Sequence, residues 1–228
     1  MNIHKHLKQL SQISQYLMLN GSFTNSLGLL NGKMGIILFF FHYSKYAKNP
    51  IYKKFAEEMI NEIYSEISQT TSCSFGDGLC GIAWGLMYLV RNGFVKTDDE
   101  FHFLEALDVK IMEWDVRHIK DATLERGTAG VGHFILSRFA VDGSKCYLPD
   151  EYINEYVYAA KCNNNQEVLQ LMNRIRSGQI DLTSYMNNQL ISFLASSTNF
   201  RKKMQKPNIG ISSSGYAGLG LNLILNDE

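Results

Sequence analysis

The sequence SFGDGLCGIAWGLMYL, residues 74–89, places four glycines before and within a run of bulky apolar residues. Glycine costs a helix interior about 1 kcal/mol relative to alanine, so a helix that carries several needs a physical reason for them. Gly78 and Gly81 are separated by two residues, and Asp77 precedes them. The stretch predicts either a catalytic loop around Asp77 or the start of a buried helix at which close packing requires glycine.

The same Gly-x-x-Gly box recurs before other apolar segments. The four pairs are Gly32 and Gly35, Gly78 and Gly81, Gly127 and Gly130, and Gly215 and Gly218. Their first members lie 46, 49 and 88 residues apart (78−32, 127−78, 215−127), so the last interval is close to two periods. We therefore expect a repeat protein in which one unit, near residue 170, has lost its glycines.

Each period contains two kinds of helical sequence. The residues after a box are apolar on all sides, as in 36–41 and 82–90, which predicts a helix buried on all sides. Two other segments, 50–69 and 99–119, have apolar residues on one face only, typical of half-exposed helices. Those residues are Phe55, Met59, Ile63 and Ile67 in the first segment and Leu104, Leu107, Ile111 and Trp114 in the second. The pattern predicts an all-α protein of helical hairpins, either a solenoid or a closed α/α toroid.

The residues that precede the boxes indicate how the buried helices begin. Asn31, Asp77, Arg126 and Ser214 stand immediately before the first glycine of each box. Asn, Asp and Ser are favoured helix caps, so we expect these side chains to cap the helices at the boxes. We also expect the glycines to let neighbouring buried helices approach closely.

Charge and cysteine content exclude several classes of protein. Lys and Arg number 22, as do Asp and Glu, and this balance argues against a nucleic-acid or anionic-membrane binder. The four cysteines show no Cys-x-x-Cys spacing, and the longest apolar run, 36–41, is too short to cross a bilayer. The first residues lack a signal-peptide pattern. We expect a reduced, cytoplasmic protein with free buried cysteines and no membrane insertion.

The boxes LLNGKMGIILFFF, SFGDGLCGIAWGL, TLERGTAGVGHFIL and ISSSGYAGLGLNLIL together resemble the lanthionine synthetase C-like family. The last of them is similar to the closing repeat of that family. The resemblance implies an α/α toroid whose inner helices begin at the boxes, with outer helices covering them. We expect about five hairpins, forming a small or incomplete ring within a single domain over residues 1–228.

The resemblance also implies a peptide-modification system, but it does not extend to the zinc site. Cyclases of the family hold zinc with two cysteines and a histidine from Cys-His-Gly and Trp-Cys-x-Gly motifs, and the metal activates a substrate thiol. Neither motif occurs in this chain, and Gly76-Asp77 stands where the metal-binding pair would be. We therefore expect no cofactor and a zinc-less, non-catalytic pseudoenzyme that binds a precursor peptide or a partner enzyme.

His133, Asp77 and Glu125 are the candidates for catalysis. His133 lies one turn into a predicted inner helix, where it could transfer protons in a central cavity or be an ordinary core residue. Asp77 and Glu125 stand at successive helix starts, and two carboxylates facing one cavity would suit a carbohydrate-active enzyme. The alternative role for both is stabilisation of a helix start. A third possibility is a scaffold whose cavity is filled by its own aromatic residues.

The remaining polar residues are expected to be structural. Cys80 should be a small buried residue, and the glycines between Cys73 and Cys80 argue against a metal pair. The five other histidines, His4, His6, His42, His102 and His118, are expected on outer or terminal segments as surface or packing residues. Several helix N-termini, with Arg126 and the basic residues 201–203, could together attract a carboxylate-bearing ligand, although a solvated loop is the simpler interpretation of 201–203.

Overall fold

The computed structural model of the chain describes residues 2–140, 143, 146–194, 209–212 and 215–226. Within them the secondary structure is helical. The α-helices are α1 Asn2–Asn20, α2 Lys33–Tyr46, α3 Pro50–Glu66, α4 Leu79–Arg91, α5 Thr97–Met112, α6 Thr128–Ser137, α7 Asp150–Cys162, α8 Gln166–Arg176, α9 Leu182–Leu194 and α10 Tyr216–Leu225. Short 3-10 turns cover Gly21–Phe23 and Val116–His118. The predicted all-α class is confirmed.

The chain divides into two compact units. The first comprises Met1–Thr71 and Leu190–Glu228, and in it α2 packs against α3 and α10, while α1 packs against α10. The second comprises Ser72–Gln189, and in it α4 packs against α5 and α6, while α6 packs against α7 and α8. In both units the two helices that follow a box contact each other, and α2, α4 and α6 each also contact the helix that comes next in the chain. This is the predicted helical-hairpin arrangement.

The burial of the inner helices follows their composition. Every residue from Lys33 to Tyr43 in α2 and from Leu79 to Leu89 in α4 is buried. Lys33 can be buried because its Nζ lies 3.1 Å from Glu62 Oε2 and 2.6 Å from Glu66 Oε1, both on α3. The two carboxylates therefore join the start of an inner helix to the end of the outer helix that follows it.

The predicted apolar stripe of α5 is wrong at its last position. The helix ends at Met112, and the indole of Trp114 lies beyond it with half of its surface exposed. The chain turns here because the Asp115 side chain accepts a hydrogen bond from the Arg117 N–H and caps the following 3-10 turn. Leu104, Leu107 and Ile111 are buried as predicted.

The repeat without glycines, expected near residue 170, corresponds to α8. This helix packs against α6 and buries only Val168, Met172 and Ile175, so it is half-exposed where the other inner helices are buried. The basic residues 201–203 lie outside the described part of the chain.

Glycine itself occupies the N-cap position at all four boxes, as Gly32, Gly78, Gly127 and Gly215. The start of each inner helix at its box is therefore confirmed. The expectation that Asn31 and Asp77 cap the helices is wrong, because each lies one residue too early. Ser214 lies outside the described residues.

A backbone carbonyl takes the place of the expected capping side chain. The N–H of Leu79, the first in α4, donates to the carbonyl oxygen of Ser72 at 2.8 Å, and Thr128 donates in the same way to Asp121 at 2.8 Å. The preceding loop must fold against the first turn to place this carbonyl, and a Cβ at Gly78 would lie 1.9 Å from the Ser72 oxygen. The close approach of the preceding loop therefore requires glycine at position 78. The expected close contact between inner helices does not explain this glycine.

Close approach between helices occurs two residues after the boxes. A Cβ at Gly132 on α6 would overlap the Tyr156 hydroxyl of α7, and one at Gly220 on α10 would overlap the Phe39 ring of α2. At these two glycines aromatic side chains of neighbouring helices occupy the space that a side chain would need.

Candidate functional site

The loops that lead into α4 and α6 border a cleft with a volume of about 320 Å³ in the second unit. Its apolar lining comes from Trp114, Ile119 and Val131, and its charged lining from Asp77 and Arg126. Ser72, Cys73 and Ser74 complete the lining. The cleft therefore combines an apolar surface with one group of each charge.

The geometry of the helix starts explains why these two residues line the same cleft. Asp77 and Arg126 each lie one residue before an N-cap glycine. The Gly76 N–H donates to the Glu125 carbonyl oxygen at 2.9 Å and joins the two loops directly. Within its own loop, the Asp77 N–H donates to Ser74 Oγ at 3.3 Å. The repeat thus brings equivalent positions of successive boxes to the same cleft.

The two carboxylates predicted to face one cavity, Asp77 and Glu125, lie in different surroundings. Asp77 lines the cleft, whereas Glu125 contributes its backbone carbonyl to the loop contact and its side chain is not part of the lining. The other charged residue of the cleft lining is Arg126. Of the two carboxylates that the carbohydrate-active alternative needs, the cleft lining contains Asp77 and not Glu125.

Cys73 and Cys80 are both free and buried. Burial raises the pKa of the Cys73 thiol to about 12, and burial also raises the pKa of the fully enclosed Cys80 thiol well above its usual range. Both thiols are therefore neutral at physiological pH and poor nucleophiles. Cys146 is half-buried and Cys162 is exposed, so the expectation of buried cysteines is wrong for these two.

His133 lies on α6 in the core of the second unit, with 8% of its surface exposed. Its Nδ1 is 2.5 Å from the hydroxyl oxygen of Tyr185 on α9, and the two rings are stacked. Burial lowers the pKa of His133 to about 4, so the imidazole is neutral at pH 7. It does not belong to the cleft lining. The structure thus places His133 in the packed core of the second unit, outside the lining of the cleft.

The other histidines differ from one another. His42 lies on the inner helix α2 and is buried, so its expected place on an outer segment is wrong. Burial, with Lys45 nearby, lowers the pKa of His42 to about 4. His118 is exposed and lies 3.0 Å from the Asp115 carboxylate, and His6 is partly exposed. The side chains of His4 and His102 lie outside the described part.

Several residues of the second unit take roles that the sequence pattern does not reveal. Trp114, a core residue by its register, forms part of the cleft. Arg138 at the end of α6 is buried and donates from Nε and Nη2 to the same oxygen of Asp108 on α5, at 2.9 and 2.5 Å. A charged residue at the end of a nearly apolar helix is the signal that could have found it. Tyr185 gives no signal, because its partner His133 is 52 residues away.

No helix within the described residues has both the length and the hydropathy needed to cross a bilayer.

Residues 24–166 match the sequence profile of the family described as lanthionine synthetase C-like protein. The matched segment is more than half of the chain and contains three of the four boxes. The chain belongs to the lanthionine synthetase C-like family. This agrees with the helical hairpins and with the helix starts at the glycine boxes. Neither curated proteins nor solved structures give a match to the chain.

Within the described residues, this lanthionine synthetase C-like chain shows no set of zinc ligands like that of the family's cyclases. Among the described side chains, no three His, Cys, Asp or Glu residues converge as a metal site would require. A cysteine ligand must be a thiolate, and burial raises the pKa of the Cys73 and Cys80 thiols, which disfavours that form. The cysteine in the cleft lining, Cys73, is accompanied there by Asp77 and by a cation, Arg126, whose charge would repel a metal ion.

Proposed function

We propose that this lanthionine synthetase C-like protein acts in a peptide-modification system as a zinc-less, non-catalytic member that binds a precursor peptide or a partner enzyme. The observation that supports this most is the composition of the cleft at the box loops. The family's metal-binding pair would stand at Gly76-Asp77, and here that position contributes Asp77 to a cleft with apolar walls. This composition supports binding of a peptide in preference to metal chemistry.

The chemistry of the nearby groups favours binding without turnover. A thioether-forming cyclase needs an activated thiol, and a general acid–base needs a pKa near the working pH. The Cys73 thiol remains protonated, and the neutral His133 is enclosed in the core. Asp77 and Arg126 can instead form ion pairs or hydrogen bonds with a peptide, while Trp114 and Ile119 cover apolar side chains.

Metal analysis of the purified full chain tests the non-catalytic part of this proposal. We expect substoichiometric zinc by inductively coupled plasma mass spectrometry, before and after incubation with excess zinc and removal of unbound metal. Stoichiometric zinc that is lost in Cys80→Ser or His133→Asn would refute it. Cys162→Ser provides a matched control, because this cysteine is exposed and is not part of the cleft lining.

Titration calorimetry tests the binding part. The probes are synthetic peptides for the short open reading frames that neighbour the gene, compared with scrambled peptides of the same composition. We expect one of the native peptides to bind and the paired charge reversal Asp77→Lys, Arg126→Glu to weaken it. Equal binding of native and scrambled peptides would contradict the proposal, and no binding of either would favour a scaffold.

A further inference from the structure

Resting on the proposed function, we infer that the cleft of the second unit holds one large apolar side chain of a peptide segment, with Trp114 as its principal contact. The cleft is bordered by the loops before α4 and α6 and by the segment that follows α5. A side chain that enters it meets the indole of Trp114, Ile119 and Val131.

The exposure of Trp114 is the first support for this assignment. Half of its surface is open to solvent, although the sequence places it in register with the buried face of α5. Tryptophan that lines a concave surface is among the residues that contribute most to binding, because a large apolar area is removed from water when a partner covers it. Val131 also lines the cleft and is almost fully buried, so the apolar surface continues into the protein.

The electrostatics of the lining favour an uncharged side chain. The Cys73 thiol is neutral because burial raises its pKa to about 12. Asp77 and Arg126 bring one charge of each sign, so the lining attracts neither anions nor cations overall. A peptide backbone, which carries both donors and acceptors, is complementary to such a pair at the edge of an apolar cleft.

The size of the cleft limits the occupant. A volume of about 320 Å³ is at the lower end of the range for ligand pockets, roughly 300–1,000 Å³. It accommodates one aromatic or long aliphatic side chain with its flanking peptide groups, and it is too small for a folded partner element. The cleft therefore recognises a single residue of a peptide.

Intrinsic fluorescence tests this inference directly because the chain has two tryptophans of different exposure. Trp84 is fully buried, so quenching by acrylamide reports mainly on Trp114. The probes are N-acetylphenylalaninamide and, as the matched control without a side chain, N-acetylglycinamide. We expect the phenylalanine amide to shield Trp114 from acrylamide with a Kd of about 1 mM, given the affinity that so few atoms provide. The glycine amide should give no shielding.

Variants separate the cleft from non-specific adsorption. Saturation-transfer NMR on N-acetylphenylalaninamide should show binding to wild type and to Trp114→Phe but not to Trp114→Ala. Val131→Phe should fill the cleft and also abolish binding. Tyr158→Ala removes another exposed aromatic residue, 63% exposed on α7, and should leave binding unchanged. Circular dichroism checks that each variant keeps its helices.

The outcomes distinguish this inference from the proposed function. Absence of shielding at about ten times the expected Kd would overturn the inference, as would equal shielding by N-acetylglycinamide. Binding of a native peptide that is unchanged in Trp114→Ala would also overturn it while leaving the proposed function intact. Conversely, stoichiometric zinc that is lost in Cys80→Ser or His133→Asn would refute the proposed function whatever the amides do.

Discussion

Replacing Gly78 with alanine should destabilise the protein strongly, and for a steric reason alone. The backbone at Gly78 has φ −133°, an extended conformation that any residue adopts. A Cβ there would lie 1.9 Å from the carbonyl oxygen of Ser72, whereas ordinary van der Waals contact begins near 3.4 Å. The Ser72 carbonyl group must therefore move away from the new Cβ by roughly 1.5 Å. That displacement breaks the 2.8 Å hydrogen bond from the Leu79 N–H, which begins α4.

The expected cost is about 3 kcal/mol. An unsatisfied buried donor costs about 1–3 kcal/mol, and overpacking adds about 1–3 kcal/mol. Alanine recovers about 0.4–1 kcal/mol by restricting the unfolded chain. The assay is urea unfolding followed by circular dichroism at 222 nm, with the free energy of unfolding compared at a common m-value.

Two other glycines make the experiment quantitative. Gly93 has φ +67°, and a Cβ added there would meet no described atom within 4 Å, so Gly93→Ala measures the left-handed backbone alone, about 1–2 kcal/mol. At Gly35 the nearest atom, the Leu29 carbonyl oxygen, would be at 2.5 Å, so Gly35→Ala should cost less than Gly78→Ala. If Gly78→Ala costs no more than Gly93→Ala, the loop contact does not explain the glycine.

Three further predictions concern buried polar groups. Tyr156→Phe should be neutral or stabilising by about 1 kcal/mol, because the Tyr156 hydroxyl is buried with no partner among the described residues. Tyr185→Phe should instead cost about 1 kcal/mol, because it loses the hydrogen bond to His133. The free energies of urea unfolding of the two variants test this difference. Arg138→Met should cost about 3–5 kcal/mol because it leaves Asp108 buried and unpaired, and adding Asp108→Leu should recover most of it. Lowering the pH from 6.5 to 4 should destabilise the protein, and His133→Asn should reduce that loss, as measured by unfolding at each pH.

The sign of the pH effect follows from the direction of each pKa shift. The pKa values of His133 and His42 are lowered from 6.5 to about 4 by burial, so the unfolded chain takes up their protons first. Their contribution is complete above pH 6.5 and is lost as the pH falls through this window. Burial raises the pKa of Asp108 to about 6, which has the opposite sign, because its contribution is lost as the pH rises from 3.8 to 6. Because two histidines lose their contribution and one aspartate gains it, the free energy of unfolding should fall as the pH is lowered. A flat profile would contradict the burial of these histidines.

The positions of the inner helices could be predicted from the sequence because two independent signals coincide there. The glycine boxes recur at a regular interval, and each is followed by residues that are apolar on every face. No polar face competes for a different orientation, so the helix can only be buried. The interval between Gly127 and Gly215 also predicts a further repeat, and α8 lies near residue 170, although it is half-exposed and not buried on all sides.

The role of the glycines could not be predicted, because it depends on the path of the preceding loop. An Asp before a helix is a good cap in general, and Asp77 has the right type for that role. The Leu79 N–H at the start of the helix already donates to the backbone carbonyl of Ser72. Ser72 lies seven residues before Leu79, in a loop with no periodic pattern. The prediction that Trp114 is buried fails for a related reason. The helix ends before Trp114 because Asp115 caps the next turn, and the apolar stripe contains no residue that indicates this end.

The carbonyl caps also change what the helix starts can do for a ligand. Convergent helix N-termini attract anions chiefly through N–H groups that have no partner within the helix. In α4 and α6 the first of these, on Leu79 and Thr128, already donate to loop carbonyls at 2.8 Å. They are therefore not available to a carboxylate or phosphate in the adjacent cleft. For the proposed ligand, selectivity should then depend more on the side chains that line the cleft, so substitutions at Asp77 and Trp114 should alter binding without altering these helix starts.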